Sequence, residues 1–482
     1  MILDVLGLLV DEPYVRDGFG TRDFFNQTTV HPLGLAVLGV LSLATCLVNR
    51  RYMLLPLLAL ACVVPQGQRV VIATLDFNFI RILLLVGITR VALLGEWGHL
   101  KPKPLDRLVV AWTLIGAIGY ILQLGDFGAV VYRLGLGFDI LGIYFMCRVS
   151  FRDWRDVDIA TTGLAIMACI SYLFFFVEKK TGRNMFSIMG GVPQFTGIRE
   201  GKLRTQGPFV HAILAGCFWA ILLPPVAAKM LRRNIYQKLL GLLGVSSIVS
   251  IVMFCASSTP LIVLGCNIVG FTVYFFRKHM RLIRWVTFTG LISLHMYMKA
   301  PVWHLISRID VVGGSTGYHR YKLIQSSIDN FHEWWLCGIG STAHWGYFMF
   351  DVTNQYILEG VRAGVLAMLA FIWVLVYCFK NVGETWPTVD RNPYLRFLSW
   401  CLGICIYSHL NVFLAVSISH SAQSLLAMLF VMAAIASMAP DPVAQPLGEW
   451  LKPRRIKILR ARAARSRSEV SERRRRGPLR AA

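Results

Sequence analysis

The chain has 482 residues, of which 56% are hydrophobic and only 16% are charged. Because a soluble globular domain averages about 25% charged residues, this composition excludes an ordinary soluble protein and indicates a lipid environment. The formal net charge is +23. The basic residues are spread over short loops and the C-terminal tail, which argues against a nucleic-acid-binding surface.

The chain opens with "MILDVLGLLVDEPY", which is apolar for most of its first ten residues but lacks the basic start of a secretory signal peptide. It carries the acidic residues Asp4, Asp11 and Glu12 instead. We interpret residues 1–30 as an acidic lead-in that lies on the membrane surface.

Thirteen apolar runs follow, each close to the roughly 20 residues that a helix needs to cross the hydrocarbon core. Their centres lie near Leu41, Leu60, Leu85, Ile115, Ile140, Ile166, Trp219, Ser247, Ile268, Leu291, Leu369, Ile406 and Met432. In lipid every backbone polar group must form its hydrogen bond within the chain, so only helix bundles and closed barrels cross a membrane. Since no long stretch alternates with period two, the sequence predicts an all-α polytopic helix bundle of about 12–13 spans, with a large, partly helical periplasmic loop late in the chain.

Lysine and arginine in short loops indicate which side of a membrane a loop occupies. With thirteen spans, six basic loops and the tail from Lys452 to Arg480 all fall on one side and hold 32 of the 49 basic residues. We predict that this side is the cytoplasm and that the protein is a multi-pass membrane protein with a cytoplasmic C-terminus. The tail is rich in arginine and serine, and we expect residues 441–482 to be disordered.

This layout divides the chain into a first transmembrane bundle, a second group of spans and a last group, separated by two long outer loops. The predicted boundaries are 31–178, 208–300 and 361–440 for the transmembrane parts, and 179–207 and 301–360 for the first and second periplasmic loops. Both loops are rich in aromatic residues and glycine rather than low in complexity, so we expect them to be folded and functional.

Charges inside spans are costly and tend to mark function. Arg81 and Arg133 are predicted to lie about one turn inside the outer membrane boundary. Each is explained by snorkelling to the interface, or the two together hold an anion that enters from the outer leaflet.

The first outer loop carries Arg199, Lys202 and Arg204 around Glu200. One interpretation is a solvated surface. The other is a pair of guanidinium groups that receives a phosphate or diphosphate, because arginine offers a planar fork that lysine lacks.

The second outer loop contains "STGYHRYKLIQSSIDNF", whose spacing predicts a helix capped by Ser315 or Thr316. If the segment after Gly346 is also helical, Asp351 and Asn354 share one face. They are candidates for a site or, equally, for a helix cap or an interhelical contact. His344 precedes that face and is either a surface histidine or a proton acceptor.

Eleven cysteines lie mostly inside apolar spans, where they behave as small hydrophobic residues. Cys401 and Cys405 share a helix face, but no His or carboxylate joins them at ligand spacing. We predict no metal and no cofactor.

The second loop resembles a motif of the bacterial O-antigen ligases and related polysaccharide polymerases. That motif begins with His, followed by Asn, Ser or Gln. Nine residues later come a Gly, two further residues, and then Gly, Thr or Tyr. Here Thr353–Asn354 is followed by nine residues and Gly364, so the spacing is kept. Thr353 stands where the family has His, and Ala367 where it has Gly, Thr or Tyr. The missing His favours a polymerase or a divergent relative over a ligase.

Other parts of the chain are similar to the same family. They are Arg320 ahead of an apolar helix and Gly338-Ile339-Gly340, the Arg-x-x-Gly-x-Phe stretch of Arg204, Gly207 and Phe209, and the polar turn "SSTP" at Ser257–Pro260. The Pro-Asn pair that often follows this Phe in the family is absent.

The resemblance implies transfer of a glycan from an undecaprenyl-diphosphate carrier to an acceptor hydroxyl at the periplasmic face, without metal. It implies that diphosphate is bound by arginines, that a general base is optional and that a carboxamide positions oxygens. The residues that match these roles are Arg204, Arg320, Arg199 and Arg81 for diphosphate, Asp351 or His344 as base, and Asn354 for positioning. The implied partners are the lipid-linked glycan, membrane lipid and other proteins of polysaccharide assembly.

Two further classes of protein stay open. One is a polysaccharide or lipid transporter or flippase without covalent chemistry, although the inverted repeats typical of transporters are not evident in the sequence. The other is a structural subunit of a secretion complex, which would not need the arginine clusters.

Overall fold

A computed structural model describes residues 28–72, 75–308, 317–418 and 421–440 of the chain. The predicted disordered tail and most of the predicted acidic lead-in lie outside these residues. Within them the regular secondary structure is mostly α-helical, with very little sheet. The helices α1 to α16, in chain order, are Pro32–Leu47, Leu54–Val63, Phe79–Leu93, Pro104–Leu124, Phe127–Ser150, Trp154–Thr181, Ala212–Ala228, Ile235–Phe254, Ser258–Phe275, Met280–Tyr297, Gly317–Asp329, Phe331–Trp334, Gln355–Ala363, Val365–Thr385, Pro393–Phe413 and Ala422–Met438.

Two short antiparallel hairpins are the β-structure of the described residues. β1 (Arg69–Ile72) pairs with β2 (Leu75–Asn78), and β3 (Ile198–Arg199) pairs with β4 (Lys202–Leu203). The β3–β4 turn has Glu200 and Gly201 at φ of 49° and 69°. Two consecutive positive φ angles give the turn that matches the twist of a tight hairpin.

Seven helices are long and apolar enough to cross a membrane, namely α4 to α9 and α14, with α7 counted together with the 3-10 turn that follows it. The predicted polytopic helix bundle is thereby confirmed. All thirteen predicted centres fall inside helices. α1, α2, α3 and α16 are shorter than the roughly 20 residues of a full span, so the count of thirteen crossings stays a prediction.

The core of the bundle is built around α7 and α16. In the most apolar 18-residue segment of α7, 83% of the residues are buried inside the protein, compared with 33–39% in the corresponding segments of the other six candidate spans. α7 packs against α8, α9 and α15, and α16 packs against α5. Close packing uses small residues, as is usual between membrane helices: Gly216 lies against Pro260, and Gly244 lies against Ala165.

The second long loop is partly helical, as predicted, and it has an apolar core of its own. Leu323 of α11, Trp334 of α12, and Ile357 and Val361 of α13 are buried together. The predicted helix in "STGYHRYKLIQSSIDNF" is α11, whereas its proposed caps Ser315 and Thr316 lie outside the described residues. This core fixes α11 and α13 relative to each other.

The segment directly after Gly346 is not a helix. Gly346 and Phe348 have φ of 142° and 58°, so the chain turns here, and α13 begins only at Gln355. Asp351 and Asn354 therefore precede the helix instead of sharing a face of it.

Candidate functional site

The first long loop, residues 179–207, is held in place by a buried carboxylate at the end of α6. Glu178 is 1% exposed. Its Oε1 accepts hydrogen bonds from the Gln206 backbone N–H at 3.0 Å and from Thr196 Oγ1 at 3.2 Å, and its Oε2 accepts one from the Gly207 N–H at 2.9 Å. These bonds fix the backbone directly after Arg204.

The Arg-x-x-Gly-x-Phe stretch closes tightly onto the bundle. Gly207 has φ of 56°, and a Cβ there would lie 2.5 Å from the ring of Phe175. Only glycine meets both conditions without strain. The Phe209 side chain is buried in the main core. Gly207 and Phe209 thus anchor the loop, and Arg204 lies at its half-buried edge.

A backbone bond joins this loop to the "SSTP" turn. The Thr205 N–H donates to the Phe254 carbonyl oxygen at 3.2 Å, at the end of α8. The turn follows at once, and α9 begins at Ser258. The N-terminus of α9 therefore lies next to the arginine-bearing loop, and a helix N-terminus carries partial positive charge.

Arg320 of the second loop reaches the same turn. It is 8% exposed, and its Nη2 donates to Thr259 Oγ1 at 3.2 Å. No hydrogen-bond partner within the described residues meets its buried Nε. Burial lowers the pKa of Arg320, the nearby Cys217 thiol opposes this effect, and the positive charge of Arg199 lowers the pKa further.

Arg199 of the first loop is near enough for its charge to act on Arg320, which itself bonds to the start of α9. Guanidinium groups and a helix N-terminus all favour an anion. Because a diphosphate offers several anionic oxygens to planar N–H forks, this arrangement is suited to bind one.

Asn354 caps a helix. Its side chain is buried, and its Oδ1 accepts the backbone N–H groups of Tyr356 and Ile357 at 3.0 and 3.2 Å. Its Nδ2 donates to the Leu414 carbonyl oxygen at 3.4 Å. The carboxamide oxygen is occupied by backbone N–H groups, so Asn354 positions the start of α13.

His344 forms a surface cluster with a carboxylate that sequence reasoning missed. His344 Nε2 and Trp345 Nε1 both lie 2.8 Å from Glu333 Oε2. The hydrogen bonds from Trp345 and His344 lower the pKa of Glu333. Because the His344 side chain is 52% exposed and joined to Glu333, it acts as a surface contact. The sequence around Glu333, "EWWLCG", does not indicate that its partner is His344, eleven residues later.

Asp351 keeps a carboxylate that can accept a proton. It is half-buried just before α13. Its backbone N–H bonds to Phe348 O and its carbonyl accepts from Thr353 N–H, but within the described residues its carboxylate has no hydrogen bond. Of the two predicted bases, Asp351 and His344, only His344 has a side-chain hydrogen bond within the described residues.

Arg81 does not join the loop arginines. Its Nε and Nη2 lie 2.8 and 2.5 Å from the two carboxylate oxygens of Asp139, and its Nη1 bonds to the Asp76 carbonyl. The fork that a diphosphate would need is filled by Asp139, so Arg81 bridges α3 to α5. This corrects its prediction as a diphosphate ligand.

The described residues show no metal site. No three His, Cys, Asp or Glu side chains in this part of the chain gather at a distance that would hold a metal ion. Cys401 and Cys405 are both buried in α15.

Comparison with known proteins gives no match, either to the model of a protein family or to a curated sequence.

Proposed function

We propose that the protein is an integral membrane glycosyltransferase that transfers or polymerises undecaprenyl-diphosphate-linked oligosaccharide, of the O-antigen polymerase or ligase type. The observation that carries the proposal is the contact of Arg320, from the second loop, with Thr259 at the N-terminus of α9, close to Arg199 of the first loop. We further propose that this site faces the periplasm, in the inner membrane, with the C-terminus in the cytoplasm.

In the proposed reaction the bond between the anomeric carbon and the diphosphate oxygen breaks, and the acceptor hydroxyl oxygen bonds to that carbon. The leaving diphosphate gains negative charge, which fixed guanidinium groups stabilise more than they stabilise the bound substrate. Arg320 and Arg199 are our candidates for this role, together with Arg204 of the first loop. The hydroxyl proton passes to a carboxylate, for which Asp351 is our candidate, or to the departing diphosphate.

Replacing Arg320 tests the proposal. Full-length protein in liposomes is given undecaprenyl-diphosphate-linked oligosaccharide and a glycan acceptor, and the elongated product is measured. We expect Arg320→Gln to lower the rate at least about 100-fold, as loss of one fixed electrostatic donor typically does. Arg308→Gln, at an exposed arginine of the same loop, serves as the control and should keep the wild-type rate.

Two results decide against the proposal. One is an unchanged transfer rate in Arg320→Gln. The other is movement of the lipid-linked oligosaccharide across the bilayer by the wild type without any new glycosidic bond, which supports a flippase instead.

A further inference from the structure

A narrow cleft lies between α4, α5, α13 and α16, apart from the loop arginines. About 20 Å³ of it is open to the centres of water molecules, which is room for one or two waters in total and for no larger ligand. A guanidinium and a carboxylate both border this small space. The residues around it are Trp112, Thr113, Gly116, Arg133, Leu136, Gly137, Ile140, Gln355, Glu359, Ile418, Leu425 and Met428.

Arg133 brings a buried guanidinium to this cleft. Its side chain is 8% exposed, and the central carbon of the guanidinium lies 4.2 Å from the ring centre of Tyr120. This contact uses one face of the guanidinium and none of its N–H groups. The buried Nε has no hydrogen-bond partner within the described residues. Because a buried N–H without an acceptor is costly, we expect an acceptor of another kind beside it.

Glu359 and Thr113 bring hydrogen-bond acceptors to the same cleft. Glu359 Oε2 accepts from Trp112 Nε1 at 3.0 Å, and its Oε1 accepts from Gln355 Nε2 at 2.7 Å. Each carboxylate oxygen has two lone pairs, so each can accept one further hydrogen bond. The Thr113 hydroxyl donates to the Val109 carbonyl oxygen at 2.9 Å and keeps its own lone pairs as acceptors.

Arg133 and Glu359 interact electrostatically without a direct bond. The charge of each acts on the other through space, and no hydrogen bond or ion pair joins them in the described parts of the chain. Arg362 also acts on Glu359, but it donates to Tyr132 Oη at 3.4 Å. A water molecule that accepts from a guanidinium and donates to a carboxylate joins two such groups almost as well as a direct hydrogen bond.

The acidic partner lies on the helix that follows the candidate proton acceptor. Gln355 and Glu359 are four residues apart in α13 and so lie on one face of it. This face is bonded to α4 through Trp112. α13 begins directly after Asn354, and Asp351 lies three residues before Asn354. A second attachment of α13, to Arg133 of α5, therefore helps to fix the place of Asp351.

We propose that one or two water molecules in this cleft bridge the Arg133 guanidinium to the Glu359 carboxylate, and that this hydrated ion pair positions α13 and Asp351. Arg133 and Glu359 are then positioning residues, since neither touches the substrate. The positioning of Asp351 rests on the proposed function, whereas the water bridge does not. The two parts are therefore measured separately.

Thermal unfolding of the purified full-length protein in a maltoside detergent tests the ion pair. Each of Arg133→Gln and Glu359→Gln leaves a buried charge without its counter-ion, so each should lower the melting temperature by about 5 °C or more. The double variant should melt above both single variants. Arg107→Gln and Glu384→Gln, at exposed positions of α4 and α14, are the matched controls and should keep the wild-type melting temperature.

A cryo-EM map of the wild type, at a resolution that shows ordered water, tests the bridge directly. We expect density within hydrogen-bond distance of both Arg133 and Glu359. A cleft without this density, a direct contact between the two side chains, or melting-temperature losses that simply add in the double variant overturn the water-bridged ion pair. If a single variant does not fold, the double variant and the map decide.

The transfer assay described above tests the positioning. We expect Arg133→Gln to lower kcat about 10-fold and to leave KM for the lipid-linked oligosaccharide within about 2-fold of the wild type, because the loop arginines stay in place. Arg133→Lys keeps a charge that can donate to water and should recover part of kcat. An unchanged kcat in Arg133→Gln overturns the positioning. If the wild type transfers no glycan, the proposed function and the positioning both fail, and the melting temperatures and the map still decide the bridge.

Discussion

A charged side chain in a membrane helix is understood only when its partner is known. Arg81 and Arg133 look alike in the sequence, since both are lone arginines in apolar runs. In the structure a carboxylate 58 residues away fills the fork of Arg81, whereas Arg133 faces a cleft. Of the two interpretations, joint binding of an anion is not supported, because Arg81 is held in an ion pair and Arg133 lines a separate cleft.

The Arg81–Asp139 pair gives a stability prediction. Arg81→Gln leaves Asp139 poorly solvated without its counter-ion, so we expect a loss of about 3 kcal/mol in the free energy of unfolding. Asp139→Asn should cost a similar amount, and the double variant should recover most of the loss. Thermal unfolding in detergent measures all three.

The same variants decide whether Arg81 binds diphosphate after all. If Arg81→Gln/Asp139→Asn is as stable as wild type but transfers no glycan, Arg81 belongs to the diphosphate site and our structural role for it is wrong. Transfer that recovers together with stability supports the ion pair.

Glu178 has a role that its sequence context does not indicate. Glu178 is a single acid at the end of an apolar run, before two lysines, and its sequence context indicates only a helix end. The structure shows that it accepts hydrogen bonds from the backbone N–H groups of two residues in the following loop. These donors are 28 and 29 residues later, so no local pattern reveals them.

At the scale of elements, the spacing from Asn354 to Gly364 is explained by α13. Asn354 caps the start of this helix, and Gly364 ends it. Gly364 has φ of 85°, and a Cβ there would lie 2.1 Å from the Leu336 carbonyl oxygen. Val365 N–H donates to Trp335 O at 2.9 Å at the same junction. The two motif residues therefore position α13 against the second loop.

The close packing at Gly364 predicts that adding a single methyl group there lowers the stability of the protein markedly. Gly364→Ala combines an unfavourable φ with a backbone clash, so it should destabilise the protein by clearly more than about 1 kcal/mol. Gly383→Ala in α14 is the control, because a Cβ there meets nothing within 4 Å, and alanine is favoured over glycine in a helix by about 0.5–1 kcal/mol. Melting temperatures should fall for the first variant and stay level or rise for the second. Equal melting temperatures would contradict the assigned packing.

At the scale of the whole molecule, the described residues form a helix bundle whose two long loops fold onto the ends of α6, α8, α9 and α13. The first loop bonds to α6 and α8, and Arg320 of the second bonds to α9. These contacts require both loops to lie on the same side of the membrane. The distribution of basic residues independently predicts that this side is the outer one.

Reporter fusions test this arrangement. We expect fusions at Gly190 and Ser341 to be active as periplasmic reporters, and a fusion at Arg281 to be active only as a cytoplasmic reporter. Gly190 and Ser341 on opposite sides would contradict the contact between the two loops. Both on the cytoplasmic side would end the proposed periplasmic reaction.

The membrane class, the helical fold and the positions of the main helices follow from the sequence alone, because apolar runs of this length have one stable backbone solution in lipid. The start of α11 near Arg320 and the importance of the loop glycines were also within reach of local patterns. The tertiary structure decided which partner each buried or polar side chain has. It paired Arg81 with Asp139, gave the Asn354 carboxamide to the backbone, and joined His344 to Glu333. These outcomes depend on partners from separate turns and helices, and the energy of a buried charge or amide is set by such neighbours more than by its position in the chain.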